Sequence, residues 1–136
     1  MPATLEVSAT GYLTFAAVKF AGYSLFGLVL SRGYSVKRSV WAVGGARTLL
    51  GMAVGSAYFG LWYAFSKMDI GRAPYVIGLV PIRCAEWWLL LWWFYDRALA
   101  KPRLGWNMVL LGTIWSYICD LPAILGYLLT GGLSVC

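Results

Sequence analysis

Apolar residues run through this chain in four long blocks, separated by three short polar ones. The blocks cover residues 12–30, 40–65, 75–95 and 104–129. Each approaches or exceeds the roughly 20 residues that a helix needs to cross hydrocarbon. None alternates strictly between polar and apolar, and all are longer than the roughly 9–11 residues of a membrane strand. Backbone groups in lipid must be paired internally, which a long apolar block achieves as a helix. The connectors, 31–39, 66–74 and 96–103, each hold a Gly or Pro and several charges, as helix ends do. The pattern predicts an all-α integral membrane four-helix bundle, with four transmembrane spans forming a single domain over residues 1–136.

Composition strengthens that expectation. Of 136 residues, 61% are hydrophobic and only 12% charged, against about 25% charged in a soluble domain. Mean hydropathy is +0.73. One small core could not hide so much apolar surface from water. The start of the chain carries neither a basic stretch nor a small-residue cleavage site, so the first block is expected to be retained. Cys136 is the last residue rather than the fourth from the end, so no prenylation box is read there.

Net charge is +6, yet the 11 Lys and Arg residues are scattered among apolar runs and form no basic stripe. They read as topology signals rather than a nucleic-acid surface. Arg32, Lys37 and Arg38 lie in the first connector, and Arg97, Lys101 and Arg103 in the third; the second has only Lys67 and Arg72. Connectors one and three are therefore expected inside and both termini outside. Tyr12, Tyr34, Tyr63, Tyr75, Tyr95 and Trp106, near the span ends, suit an interfacial belt. The membrane expected is the bacterial inner membrane.

Several chemistries are excluded. There is no His, which removes His-ligated haem, His-containing zinc sites and the Ser-His-Asp arrangement. Cys84, Cys119 and Cys136 make no CxxC pair, and no metal-ligand spacing is present. No cofactor, metal or catalytic residue is expected, and an enzyme is the less favoured reading.

Charged residues inside the blocks carry the most information, because they are costly in lipid and usually face a bundle interior or a water-filled cavity. They are Lys19, Arg47, Arg83, Glu86 and Asp120. At 1.5 Å per residue, Lys19 falls about 10 Å below the outer boundary, Arg83 about 12 Å, Asp120 about 13 Å and Glu86 about 16 Å. The expectation is an electrically neutral layer of Lys19, Arg83, Glu86 and Asp120 that binds a ligand or ion. Arg47 stands apart, about 10 Å above the inner boundary, where it snorkels or meets Asp96. Thr113, Ser116, Tyr117 and Tyr127 share the Asp120 face as supporting polar groups. Pro122 frees the Ile118 carbonyl beside them. Arg83 one turn before Trp87 permits a cation–π contact.

Gly44, Gly51 and Gly55 share one face of the second block with Thr48 and suit close helix packing, within the bundle or in a homo-oligomer. The Trp-rich run from Glu86 to Trp93 reads as packing and lipid contact before it reads as a cofactor box. Cys84 and Cys119 are expected to turn to opposite sides, without a disulfide.

Three functions fit these features. In the first, a small transporter or channel passes an ion, proton or small polar molecule through the charged layer. There Glu86 and Asp120 accept protons or cations, while Lys19 and Arg83 hold an anionic group or tune the carboxylates. In the second, the chain is a non-enzymatic accessory or assembly subunit of a larger membrane complex. In the third, it binds or modifies lipid through Arg83 and Lys19. The partners expected are the bilayer and a homo-oligomer or larger complex, with no nucleic acid.

Overall fold

A computed structural model describes residues 9–65 and 72–130, except the side chains of residues 9–12, 63, 65, 72–73 and 122–130. Tyr12, Tyr63, Lys67, Arg72 and Tyr127 therefore have no described side chain, nor does Pro122. Among the described residues the chain is all-helical: α1 Ala9–Tyr34, α2 Val40–Phe65, α3 Arg72–Phe94 and α4 Pro102–Thr130.

The ends of these helices follow from local chemistry. Ser35 adopts φ 55° after α1. Its N–H donates to Arg32 O at 3.3 Å, and the next N–H, of Val36, reaches back to Ser31 O at 3.2 Å. This is a left-handed helix stop, with Ser in the place usually taken by Gly. Ser39 Oγ then caps α2 by accepting from Ala42 N at 3.4 Å. Pro102 opens α4, where its missing N–H costs nothing. Ahead of it Asp96 accepts the N–H groups of Ala100 and Lys101, both at 3.0 Å. Those two backbone bonds hold the Asp96 carboxyl below the usual carboxylate range. Pro81 sits inside α3 and leaves the Ile77 carbonyl without its helical partner.

The helices pack in a ring in chain order, with α1 against α2 and α3 against α4 most closely, and α1 against α4 closing the ring. Short connectors make neighbours antiparallel. One half of the interior is apolar: Tyr23, Phe26, Leu30, Tyr34, Val43, Trp87, Leu90, Leu91 and Val109 form a continuous buried cluster. It lies toward the end carrying the first and third connectors. There Arg38 Nε donates to Phe94 O at 2.9 Å, and Tyr95 Oη donates to Gly27 O at 3.3 Å. The two helix pairs are tied together at that end. The other half of the interior holds charge.

Among the described residues, two helices are long and apolar enough to cross a membrane: Leu13–Tyr34, with mean hydropathy 1.7, and Pro74–Phe94, with 1.3.

The glycines of α2 have different surroundings. A Cβ on Gly44 would meet backbone N and Cα of Ser24 at 2.9 and 3.0 Å, so α1 and α2 pack closely here. At Gly55 and Gly60 a Cβ would meet nothing within 4 Å. Gly44→Ala is accordingly expected to cost about 1–3 kcal/mol, because backbone cannot move aside. Gly60→Ala is expected to be neutral or to gain up to about 1 kcal/mol of helix propensity. Denaturant titration of the two variants in the same detergent checks the contrast.

Candidate functional site

Four helices each contribute to one buried cluster. Lys19 comes from α1, Arg47 from α2, Arg83 and Glu86 from α3, and Asp120 from α4. Lys19 Nζ lies 2.6 Å from Asp120 Oδ1. Arg83 Nη2 donates to Asp120 Oδ2 at 2.8 Å, and Arg83 Nη1 donates to Glu86 Oε2 at 3.1 Å. Arg47 Nη2 lies 2.7 Å from that same Glu86 oxygen. The order Lys19–Asp120–Arg83–Glu86–Arg47 alternates in sign and has a cation at each end. All five side chains are at most 9% exposed, so protein covers them on every side.

Lys19, Arg83, Glu86 and Asp120 thus come together, but Arg47 does not stand apart from them. Depth measured along the helix axes separates it from the layer, and the long side chain closes that gap. Asp96 is not its partner, being occupied with the loop before α4. Including Arg47 changes the charge count: three cations face two carboxylates, and the cluster carries a formal +1. The chain has five acidic residues. Besides Glu86, Asp120 and Asp96 these are Glu6 and Asp69, which lie outside the described residues.

Arg47 has the most unusual surroundings. It is fully buried. Its guanidinium carbon lies 4.9 Å from the centroids of both the Tyr23 and Trp87 rings. The cation–π contact on Trp87 therefore belongs to Arg47, because two carboxylates draw the Arg83 guanidinium away. Ser116 Oγ accepts from both Trp87 Nε1, at 2.9 Å, and Arg47 Nη2, at 3.2 Å. Arg47 Nε and Nη1 have no hydrogen-bond partner, and neither does Glu86 Oε1.

The supporting residues act at different points. Ser116 and Thr113 are buried on α4; Thr113 meets Cys84 Sγ at 3.5 Å. Tyr117 Oη donates across to Val76 O at 2.8 Å, outside the charged cluster. Cys84 and Cys119 are free. Gly51 is not a simple packing glycine: the three heavy atoms nearest to a Cβ placed there would all be guanidinium atoms of Arg47 and Arg83. Sequence reading missed that role and the part played by Trp87. The available signal was spacing, since Gly51 lies one turn after Arg47 and Trp87 one turn after Arg83.

Among the described residues no group of His, Cys, Asp or Glu could hold a metal ion. The arrangement offers instead three guanidinium or ammonium groups, two carboxylates and several unused hydrogen-bonding atoms. Such a set can exchange protons or hold a charged solute. No family model, curated protein or solved structure matches the chain.

Proposed function

We propose that the chain is a multi-pass membrane protein that spans the bilayer four times and passes a small charged solute through its buried cluster. The observation that carries this reading is the inversion of the fold. Large apolar side chains point outward on every helix, among them Leu13 at 68% exposure, Leu49 at 71%, Ile77 at 67% and Ile114 at 58%, while charge is buried inside. In water such an exterior would aggregate; in hydrocarbon it is the favoured surface. Arg32, Lys37, Arg38, Arg97, Lys101 and Arg103 are exposed in the two connectors at one end, which supports a cytoplasmic position for that end. Charged side chains within a span commonly mark a solute or proton path.

Reconstitution into liposomes tests the reading. Ion-selective dyes are expected to report flux of a small ion or protons. Glu86→Gln is expected to slow that flux about tenfold or more, since tenfold needs only about 1.4 kcal/mol in the barrier. Absence of flux in the wild type, for every ion tried, would overturn it.

A second reading has its own support. Ala53, Ser56, Ala57, Gly60 and Ala64 are exposed along one face of α2. Small residues at that spacing let another transmembrane helix approach closely, as an assembly subunit requires. Stable co-purification with a second membrane protein would favour it over transport.

A further inference from the structure

Among the described residues α1 and α4 form the loosest of the four seams in the ring. Two glycines of α1 mark where α4 rests on it. A Cβ on Gly22 would stand 2.9 Å from Cys119 Sγ, and one on Gly33 would stand 2.8 Å from Met108 Cε. The two points are about 16 Å apart along α1. Between them lie the stacked rings of Phe26 and Trp115, with centroids 6.4 Å apart. Over these rings runs a groove of about 380 Å³, open to the outside of the bundle. Leu25 and Val29 form its α1 rim, and Leu111, Ile114 and Ile118 its α4 rim, all of them exposed. The one polar side-chain group in its lining, Trp115 Nε1, is already spent on Gly22 O at 2.9 Å. An occupant is therefore hydrocarbon. A further helix does not fit. With side chains it is about 10–12 Å across, and it approaches closely only over small residues, whereas these rims are Leu, Ile and Val. A single acyl chain does fit.

One end of the groove shows what that chain is attached to. Arg32 follows Val29 by three residues and shares its face of α1. On α4, Asn107 and Arg103 precede Leu111 by four and eight residues, on the face that carries Leu111 and Ile114. Arg32, Asn107 and Arg103 are all exposed. Among the described residues no carboxylate pairs with either arginine. Arg32 lies about 4.5 Å beyond Val29 along its helix, and Arg103 about 12 Å beyond Leu111 along the other. Two free cations and an amide thus flank the same mouth. We propose that the α1–α4 groove binds one anionic phospholipid from the leaflet at this end of the bundle. An acyl chain lies over Phe26 and Trp115, and the phosphate sits between Arg32 and Arg103 within reach of the Asn107 amide. The tail contributes position rather than preference, because bulk lipid is as apolar as the groove. Preference comes from the headgroup. A basic side chain at the bilayer face favours an anionic lipid about fivefold, so the pair favours it about 25-fold over a zwitterionic one. The proposal rests on the membrane reading and not on transport.

The test is native mass spectrometry of the full chain released from mixed micelles. The micelles hold equal amounts of phosphatidylglycerol and phosphatidylcholine with the same acyl chains. One bound phosphatidylglycerol per chain is expected, preferred about 25-fold. Arg32→Gln with Arg103→Gln is expected to bring the preference close to parity. Lys37→Gln with Arg97→Gln removes the same charge from exposed positions at the same end and is expected to leave the preference largely intact. Ile114→Trp, which fills the groove from its rim, is expected to displace the lipid. Leu49→Trp, equally exposed to the surroundings but on α2, is expected to retain it. All of these positions are exposed, so the fold does not depend on them. Equal binding of the two lipids, or a preference that survives loss of Arg32 and Arg103, would overturn the proposal. So would an equal fall in the control pair, a lipid undisturbed by Ile114→Trp, or a dimer that forms in place of lipid binding. The membrane reading fails separately. A chain that stays monodisperse in water without detergent sinks that reading and this site with it. A chain that enters bilayers and shows no lipid preference sinks the site alone.

Discussion

Asp120→Asn should cost the folded protein about 3–5 kcal/mol, the usual effect of removing one partner from a buried ion pair. The amide has nearly the same shape, so the loss is one of charge. Among the described residues Asp120 is the only carboxylate against Lys19 and one of two against Arg83. Without it three buried cations face Glu86 alone, and the surplus grows from one charge to two. Arg83 keeps Glu86, while Lys19 keeps, among the described residues, the Phe15 ring 4.4 Å from its Nζ. Native stability is commonly about 5–15 kcal/mol, so the loss is a large share of the total. Lys19→Met removes a cation from the end of the same series and leaves Asp120–Arg83–Glu86–Arg47 in balance. Its volume is nearly conserved, and because the remaining charges balance it should cost less than Asp120→Asn. Equal losses for the two variants, in denaturant titrations in one lipid, would show that the alternation of charge does not govern this core.

The four helices could be read from the sequence because each is a long apolar run between clusters of Gly, Pro and charge. The observed bounds differ from the expected ones by a few residues, and the reasons are local. Helix α1 runs on to Tyr34 because Ser35 accepts a left-handed conformation that composition does not advertise. Helix α3 begins at Arg72, ahead of the apolar block. The residues of the cluster were equally legible, since a charge inside an apolar block has few places to go. Their connections were not. Depth along an axis locates a Cα, and a guanidinium can act several ångströms from its own Cα, so Arg47 was assigned to the wrong layer and the cluster to the wrong net charge. Gly51 was hidden for a related reason. Helical periodicity places it on a face with Gly44 and Gly55, but only the packing distinguishes a close helix contact, a place taken by two guanidinium groups and open space.

Trp87→Ala should be about as damaging as loss of Asp120, at about 3–5 kcal/mol, through a different mechanism. The Trp87 side chain is completely buried at the junction of the apolar and charged halves. Its ring meets Tyr23 edge-on at 5.8 Å and Phe26 at 4.9 Å, and α4 approaches it closely at Gly112, where a Cβ would come within 2.6 Å of the ring. Removing it leaves a cavity that three helices cannot close without losing contacts elsewhere. It also takes away one of the two aromatic faces on the Arg47 guanidinium, a contact worth about 2 kcal/mol when desolvated. The indole N–H contributes less. On the membrane reading proposed above, a hydrogen bond between helices averages about 0.6 kcal/mol, and Ser116 retains Arg47 as a donor when the indole is gone. Trp87→Phe, which keeps an aromatic face and most of the volume, should therefore cost under about 2 kcal/mol. If Phe proves as damaging as Ala, the bond to Ser116 rather than the ring holds the junction together. The position of Arg47 would then depend on a hydroxyl of α4.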